Sequence, residues 1–518
     1  MNRARVTVTL RDSRPSRPAS TLGVIDIGSN TARFVAFEAS RSRAVRAIYE
    51  TKDAPRLGLG LLPDGSLSEE AVARGVGTVR RFSEVARSLG LGRTLAVATS
   101  AVRDATNATE FVHEVERATG VTLRILPGTE EARYAYLGVA SAWPLENEVI
   151  FDLGGGSMQL AEVRSGGLRN SVSLPLGVLR LSKRFLDHDP PKRREWETLR
   201  EHVRGTLASV VKAFGKHSYR LVGVGGTVRS LARAAIELRD WPIRRVHGYP
   251  LYARDVSALH ELLAEMPAAK RRAVPGIGND RADVVLAGVA VLEETTRAFG
   301  AERIIVSGTG IREGIALEAI GAELPATAES LADRSVAAAG ESFSLKVDSG
   351  RGLVDAALSL YDLVALRFGG GPSERLALRV AAGMHDAGSS VDLWNHPAHA
   401  SYLIQSYPIW GLDQREVLLA GMAAWLHEGD DPPSEWKRDF LPIVGGEELD
   451  TAVKLGALLE VAELLAPARP RFSLPNGSRT LGVTFSTPTD TALPPRWPEK
   501  ARRPMERVFD LEVRFRDA

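Results

Sequence analysis

The chain of 518 residues contains no cysteine. Disulfides, thiolate nucleophiles and cysteine-ligated zinc are thereby excluded, and the composition fits a reducing cytoplasm. Any metal must be held by oxygen or imidazole. No apolar run approaches the ~18 residues of a membrane span; the stretch VVLAGVAVL falls well short and is bounded by charge. An excess of charge is also missing, with 66 Lys+Arg against 64 Asp+Glu and a net charge of +2. That balance argues against a wholly basic nucleic-acid-binding surface and leaves room for a local basic channel for a polyanion. Residues 1–20 are rich in Arg, Ser and Pro but lack the apolar core and small-residue cleavage site of a secretory signal, so they read as a flexible tail.

With 44% hydrophobic and 25% charged residues the chain has the composition of an ordinary soluble globular protein. Its length points to three or four domains at roughly 150 residues each. From Leu22 the segment TLGVIDIGSNTARFVAFEA reads as an apolar strand, a Gly-Ser-Asn turn and a second apolar strand. The run LSEEAVARGVGTVRRFSEVARSLG carries Val72, Val76, Val79, Phe82 and Val85 at helical spacing and stops at Gly90, ahead of the buried-strand pattern TLAVATS. The same strand-into-glycine grammar recurs at VIFDLGGGSMQLAEV, YRLVGVGGTVRSLARAA and ERIIVSGTGIREGIALEAI. The first of these echoes VIDIGSNTARFVAFE, which predicts two related α/β lobes facing each other.

Beyond Pro325 strand patterns give way to helical ones, among them GLVDAALSLYDLVAL, ERLALRVAAGMHDAG and DQREVLLAGMAAWLHEG. After Pro467 the segments RTLGVTFS and RVFDLEVRFRDA alternate with period two, as strands of a small terminal module would. The expected organisation is a tail (1–20), lobe I (21–146), lobe II (147–325, its last helix packing back on lobe I), a helical domain (326–466) and an α+β or β module (467–518).

Asp26 and Asp152 each end an apolar strand beside a glycine turn. Two such carboxylates converging on one cleft suit a hard cation bound with phosphate oxygens, whereas either one alone could equally cap its own turn. Gly28, Ser29 and Asn30, then Gly154, Gly155, Gly156 and Ser157, then Gly225, Gly226 and Thr227, and finally Gly308 and Gly310, form four glycine-rich turns able to bring backbone N–H groups close to phosphate. Arg103, shortly after TLAVATS, and Arg33 are the arginines whose forked guanidinium could hold a terminal phosphate. In RILPGTEEARYAYLGV a strand passes into a helix, with Thr129 as a candidate cap and Glu130 and Glu131 in the first turn. Acids there complement the helix dipole, or one of them activates a water, and spacing does not choose between the two.

Taken in order, VIDIGSNTARF, VATSAVRDATN, GTEEARYAYLGV, FDLGGGSMQL, VGVGGT, GNDRADVVLAGVAVL and VSGTGIREG resemble the exopolyphosphatase and guanosine pentaphosphate phosphohydrolase (Ppx/GppA) family over about Leu22 to Ile320. The resemblance implies two actin-like ATPase (ribonuclease H-like) lobes with the active site between them. It implies that Glu131 is the catalytic glutamate that activates water, that Asp152 together with Asp26 serves Mg²⁺ (or Mn²⁺), and that Arg103 lies near the phosphate under attack. Asp26, Ser29 and Asn30 then belong to the first phosphate motif, and Gly225 to Thr227 to the second lobe's phosphate loop. The basic segments SKRF, PPKRREW, IRRVHG and AAKRRAV are candidates for a track holding the rest of a polyphosphate chain.

The helical domain resembles the HD-like domain of longer family members through GMHDAGSSVDLWNHPAHASYLI. There His385 and Asp386 look like an HD metal pair, with His396 and His399 behind them. Divalent-metal HD hydrolases need a further histidine on a preceding helix, where this chain offers only Ser349, so a structural or substrate-binding role is expected rather than a second hydrolase.

The expected activity is release of orthophosphate from the end of inorganic polyphosphate, with pppGpp hydrolysis as the close alternative. An ATP-dependent kinase or chaperone, or a non-catalytic polyphosphate- or alarmone-binding protein, are the readings from other classes. No nucleic-acid or membrane partner is expected, and a homodimer is compatible with everything above.

Overall fold

The structure is a computed structural model. It describes residues 21–39, 45–215, 217–343, 347–428, 446–486 and 496–516, with 433, 440, 443, 493 and 494 between them; side chains at 347–351, 446 and 447 are excluded. The tail 1–20 and the Ser349 side chain therefore lie outside the described residues.

Strands β1 (Thr21–Ile27) and β2 (Ala32–Ala39) form the expected hairpin, closed by Gly28 N donating to Thr31 O at 3.0 Å. Val24, Ile25, Phe34 and Val35 are all buried, so both faces of the hairpin are covered and the strands read as continuous apolar runs. With β3 (Val45–Asp53), β4 (Arg93–Ala98) and β5 (Leu123–Ile125) they make a five-stranded sheet ordered β3-β2-β1-β4-β5. The helix Glu69–Ser88 covers one face; Ser68 caps it by accepting from Ala71 N at 3.3 Å, and Val79 and Phe82 lie buried beneath it.

The second lobe repeats this plan. Strands β6 (Glu148–Leu153), β7 (Met158–Arg164), β8 (Gly167–Leu174), β9 (Arg220–Val224), β10 (Pro250–Tyr252) and β11 (Arg303–Val306) form a six-stranded sheet ordered β10-β11-β9-β6-β7-β8. Asp152 pairs with Gln159 across β6 and β7 as Asp26 pairs with Arg33 across β1 and β2, and Gly154 N donates to Ser157 O at 3.0 Å as Gly28 N does to Thr31 O. The sequence echo is thus a structural repeat of an actin-like α/β lobe.

Each lobe lends its last helix to the other. The helix Gly128–Ala140 packs Ala132 and Val139 against Ile150, Ala161 and Val222 of the second sheet, while Ile311–Ala319 packs Ile315 and Ala316 with Leu22, Val24 and Val35 of the first. The two helices cross with their backbones touching: a Cβ on Gly314 would run into the Tyr134 carbonyl, and one on Gly138 into the Gly310 carbonyl. Only a residue without a Cβ permits that approach. Ionic contacts also join the lobes, Lys52 Nζ to Asp280 Oδ1 at 3.3 Å and Arg56 Nη1 to Asp283 Oδ2 at 2.7 Å.

A helical region follows, with helices at Ala328–Phe343, Val347–Val364, Pro372–Met384, His396–Ser406, Gln414–Leu426 and Gly446–Leu465. It docks on the second lobe through Trp241 Nε1 donating to Gln414 Oε1 at 2.6 Å, and on the end of the first lobe's last helix through Gly411 N donating to Ala142 O at 3.0 Å. The chain ends in β12 (Pro470–Ser473), β13 (Thr480–Phe485) and β14 (Glu512–Arg516), joined by the helix Trp497–Phe509. Residues 507–509, expected to start a strand, instead finish this helix, in which Ala501, Met505 and Phe509 bury one face. Among the described residues no helix is long and apolar enough to cross a membrane.

The helix crossing is testable by substitution. Gly314→Ala is expected to destabilise the protein by roughly 1–3 kcal/mol through overpacking. Gly205→Ala, on an exposed helix face with nothing near its added Cβ, should be neutral or stabilising by up to about 1 kcal/mol. Denaturant unfolding of the two variants checks the contrast, and equal effects would contradict it.

Candidate active site

The turns after β1 and β6 face one another across a cavity of about 110 Å³ between the lobes. Its walls carry the carboxyl groups of Asp26, Glu131 and Asp152 and the guanidinium groups of Arg33, Arg229, Arg281 and Arg312. Three acids and four bases around so small a volume are costly unless ligands complete the balance.

The helix crossing positions the key acid. The helix Gly128–Ala140 begins after Pro127, so Thr129 lies within its first turn and does not cap it. Glu130 turns outward to pair with Arg124 Nη2 at 2.8 Å, whereas Glu131 is buried at the cavity wall. The choice that spacing left open between these two acids is made by packing. Arg103 does not line the cavity: its guanidinium donates to Glu131 Oε1, and to the Leu126 carbonyl at 2.8 Å. Burial nevertheless pushes the Glu131 carboxyl up to about 8 against the pull of Arg103, with Asp152 and Asp26 adding to the push.

Burial likewise raises Asp152 to about 6, opposed by Arg229 and reinforced by Asp26, and it raises Asp26 although Arg312 Nη1 stands 3.8 Å from its Oδ2. Oxygen donors held near each other in a desolvated wall, with no imidazole among them, fit a hard divalent cation such as Mg²⁺ or Mn²⁺. Two buried polar atoms point the same way toward ligands: Asn30 Oδ1 and Arg312 Nε have no hydrogen-bond partner.

The remaining predicted residues divide. Ser29, Asn30, Arg33, Gly154, Gly155, Gly156, Ser157, Gly225, Gly226 and Gly310 line the cavity. Ser29 hydrogen-bonds Ser100 at 2.8 Å, Asn30 Nδ2 donates to the Asp280 carbonyl at 3.1 Å, and Arg33 is ion-paired with Glu50. Gly225 has φ +98°, and a Cβ there would lie 2.7 Å from Asp152 Oδ1, so its glycine keeps that carboxylate accessible. Thr227 is buried behind the wall, where its hydroxyl accepts from Arg281 Nη1 at 3.2 Å. Gly308 N donates to His247 Nδ1 at 3.1 Å, away from the cavity. Of the basic segments, Arg271 is buried on Asp189, and Arg245 donates to the Tyr407 carbonyl at 2.9 Å. Both arginines serve the fold.

Arg229, Arg281 and Arg312 were not anticipated. Arg229 and Arg312 stand in the first turns of Gly226–Leu238 and Ile311–Ala319. A cation at that end opposes the helix dipole, and this was the legible sign of an anion to be bound. Burial brings Arg229 down to about 10, with Arg312 adding to the shift, so it stays cationic at neutral pH.

The model of the Ppx/GppA phosphatase family matches residues 35–323. The chain belongs to this family. It is 32% identical over 314 residues to exopolyphosphatase 1 of Mycobacterium tuberculosis, covering 59% of this chain and 90% of that protein. It is 27% identical over 506 residues to the guanosine-5'-triphosphate,3'-diphosphate pyrophosphatase of Aeromonas hydrophila, covering 94% of this chain and 95% of that one. The crystal structure of an exopolyphosphatase from Cytophaga hutchinsonii matches 59% of this chain and 99% of its own at 25% identity, with a TM-score of 0.55.

With Glu131 as the base that the family resemblance implies, its state sets a pH dependence for this Ppx/GppA member. A base must be deprotonated, and its raised pKa means that the deprotonated fraction still grows with pH above the ordinary glutamate value of about 4.3. Phosphate release should therefore rise with pH along a limb displaced toward 8, and a limb at the ordinary value would contradict the burial argument.

Proposed function

We propose that the cleft hydrolyses the terminal phosphoanhydride of inorganic polyphosphate and releases orthophosphate, in the reducing cytoplasm that the absence of cysteine suits. The observation that carries this reading is the buried Glu131 carboxyl, held by Arg103 at the wall of a cavity ringed by glycine turns and arginines. Glu131 takes a proton from a water, whose oxygen attacks the terminal phosphorus as the bridging oxygen departs with the shortened chain. Arg103 orients Glu131. Arg33, Arg229, Arg281 and Arg312 offset the charge of the phosphoryl oxygens, and Asn30 with the turn at Gly154–Ser157 fixes their position. Asp26 and Asp152 would hold Mg²⁺ or Mn²⁺, which when bound supplies further neutralisation of phosphate charge.

A second reading is hydrolysis of pppGpp to the tetraphosphate. What favours it is the alignment with the Aeromonas protein, which runs through the helical region to cover 94% of this chain. Both substrates present a terminal phosphoryl to the same residues. Membership of a phosphatase family favours hydrolysis over phosphoryl transfer from ATP or binding alone.

Orthophosphate release by the purified protein with Mg²⁺ should be faster from polyphosphate than from pppGpp, and turnover of the nucleotide alone would overturn the first reading in favour of the second. Glu131→Gln should lower kcat roughly hundred- to ten-thousand-fold while leaving polyphosphate binding in place. Undiminished release by that variant would remove Glu131 from the chemistry.

A further inference from the structure

The helical region gathers a second constellation of donors. His385 follows the helix Pro372–Met384, His396 opens His396–Ser406, His427 and Glu428 follow Gln414–Leu426, and Glu463 lies in the last turn of Gly446–Leu465. Four helices thus converge on one point. The sequence reading expected His385 with Asp386, backed by His396 and His399; the structure instead adds His427 from a later helix, and His399 is not among the clustered groups.

All three imidazoles are oriented in the same way. The Nδ1 of His385 lies 3.0 Å from the Ala382 carbonyl, that of His396 3.2 Å from the Leu393 carbonyl and that of His427 2.7 Å from the Ala424 carbonyl. A carbonyl only accepts, so each Nδ1 donates to it, and in a neutral ring the Nε2 is left with a lone pair. Each Nε2 faces a carboxylate. His427 Nε2 lies 3.3 Å from Glu463 Oε2, His396 Nε2 3.6 Å from Glu428 Oε1 and His385 Nε2 3.8 Å from Glu463 Oε1. The His427 side chain is fully buried and its Nε2 has no hydrogen-bond partner. A buried Nε2 facing carboxylate oxygen calls for a cation between them, a proton or a metal ion.

The spacing indicates which cation. These N···O separations exceed a normal hydrogen bond of about 2.7–3.2 Å. Two ligand atoms about 2.1 Å from a tetrahedral ion stand about 3.4 Å apart, close to the separations found. One ligand atom each from His396, His427 and Glu428 falls within a 4.8 Å group. Imidazole nitrogen with carboxylate oxygen selects a borderline divalent ion over Mg²⁺, and backbone carbonyls behind each ring are the usual outer support of such a site.

We propose that His396, His427 and Glu428, with Glu463 and His385 beside them, bind one borderline divalent transition-metal ion, Zn²⁺ being the type case, at a site separate from the oxygen-lined cleft. The ion ties the start of His396–Ser406 to the end of Gln414–Leu426, and the half-exposed Glu428 leaves a side open for its entry.

The test uses the full chain, stripped with chelator and then supplied with excess Mg²⁺ to occupy the cleft. Calorimetric titration with Zn²⁺ should show one tight equivalent, and substitution with Co²⁺ should give the visible absorption of a four-coordinate nitrogen and oxygen site. His396→Ala and Glu428→Ala, both at the solvent side of the cluster, should each weaken Zn²⁺ binding at least about tenfold while polyphosphate hydrolysis stays within about twofold of wild type. Failure of the wild type to take up an equivalent, or retention of it at undiminished affinity in both variants, would overturn the proposal.

Discussion

The architecture depends on one close contact, the crossing of the helices Gly128–Ala140 and Ile311–Ala319, where Gly138 and Gly314 let backbone meet backbone. Each helix belongs by chain order to one lobe and packs on the sheet of the other. This exchange sets the spacing of the lobes and delivers a charged side chain from each helix's first turn to the cavity wall. Glu131 comes from one side and Arg312 from the other. Were a side chain wedged into the crossing, the loss would fall on the cleft as well as on stability, because the contact at Tyr134 adjoins the first turn that presents the acid.

Electrostatics in the cleft follow from that confinement. Carboxyls of Asp26, Glu131 and Asp152 are raised by burial despite the arginines beside them. Such a wall is poorly satisfied alone and would be well satisfied by a hard cation with a phosphate, which would supply positive charge to the acids and oxygen acceptors to the arginines. The helical region shows the same logic with different donors, imidazole lone pairs facing carboxylates. Two sites of unlike hardness on one chain would separate two cations by chemistry.

Much of the cleft was legible because its markers are local. A strand ending in Asp beside glycine is visible in a few residues, and the repeat of that pattern at Asp26 and Asp152 proved to be the same turn with the same hydrogen bond. What was not legible depended on partners distant in the chain. Glu130 and Glu131 look alike in sequence and differ only in which one the crossing buries. Arg103 reads as a phosphate ligand and Arg271 as part of a polyphosphate track, yet one holds Glu131 and the other is buried on Asp189. Residues 507–509 carry a strand's alternation but end a helix, because Ala501, Met505 and Phe509 share a helical face against the core. His427 lies more than one helix beyond His385, and no local pattern joins them.

The central claim is that a water activated in this cleft attacks the terminal phosphorus of polyphosphate. Its most direct test is turnover in ¹⁸O-labelled water, with mass analysis of the released orthophosphate. One labelled oxygen per released phosphate, and none in the shortened chain, is the predicted result; unlabelled phosphate, label in the chain, or transfer of the phosphoryl group to another acceptor would contradict it.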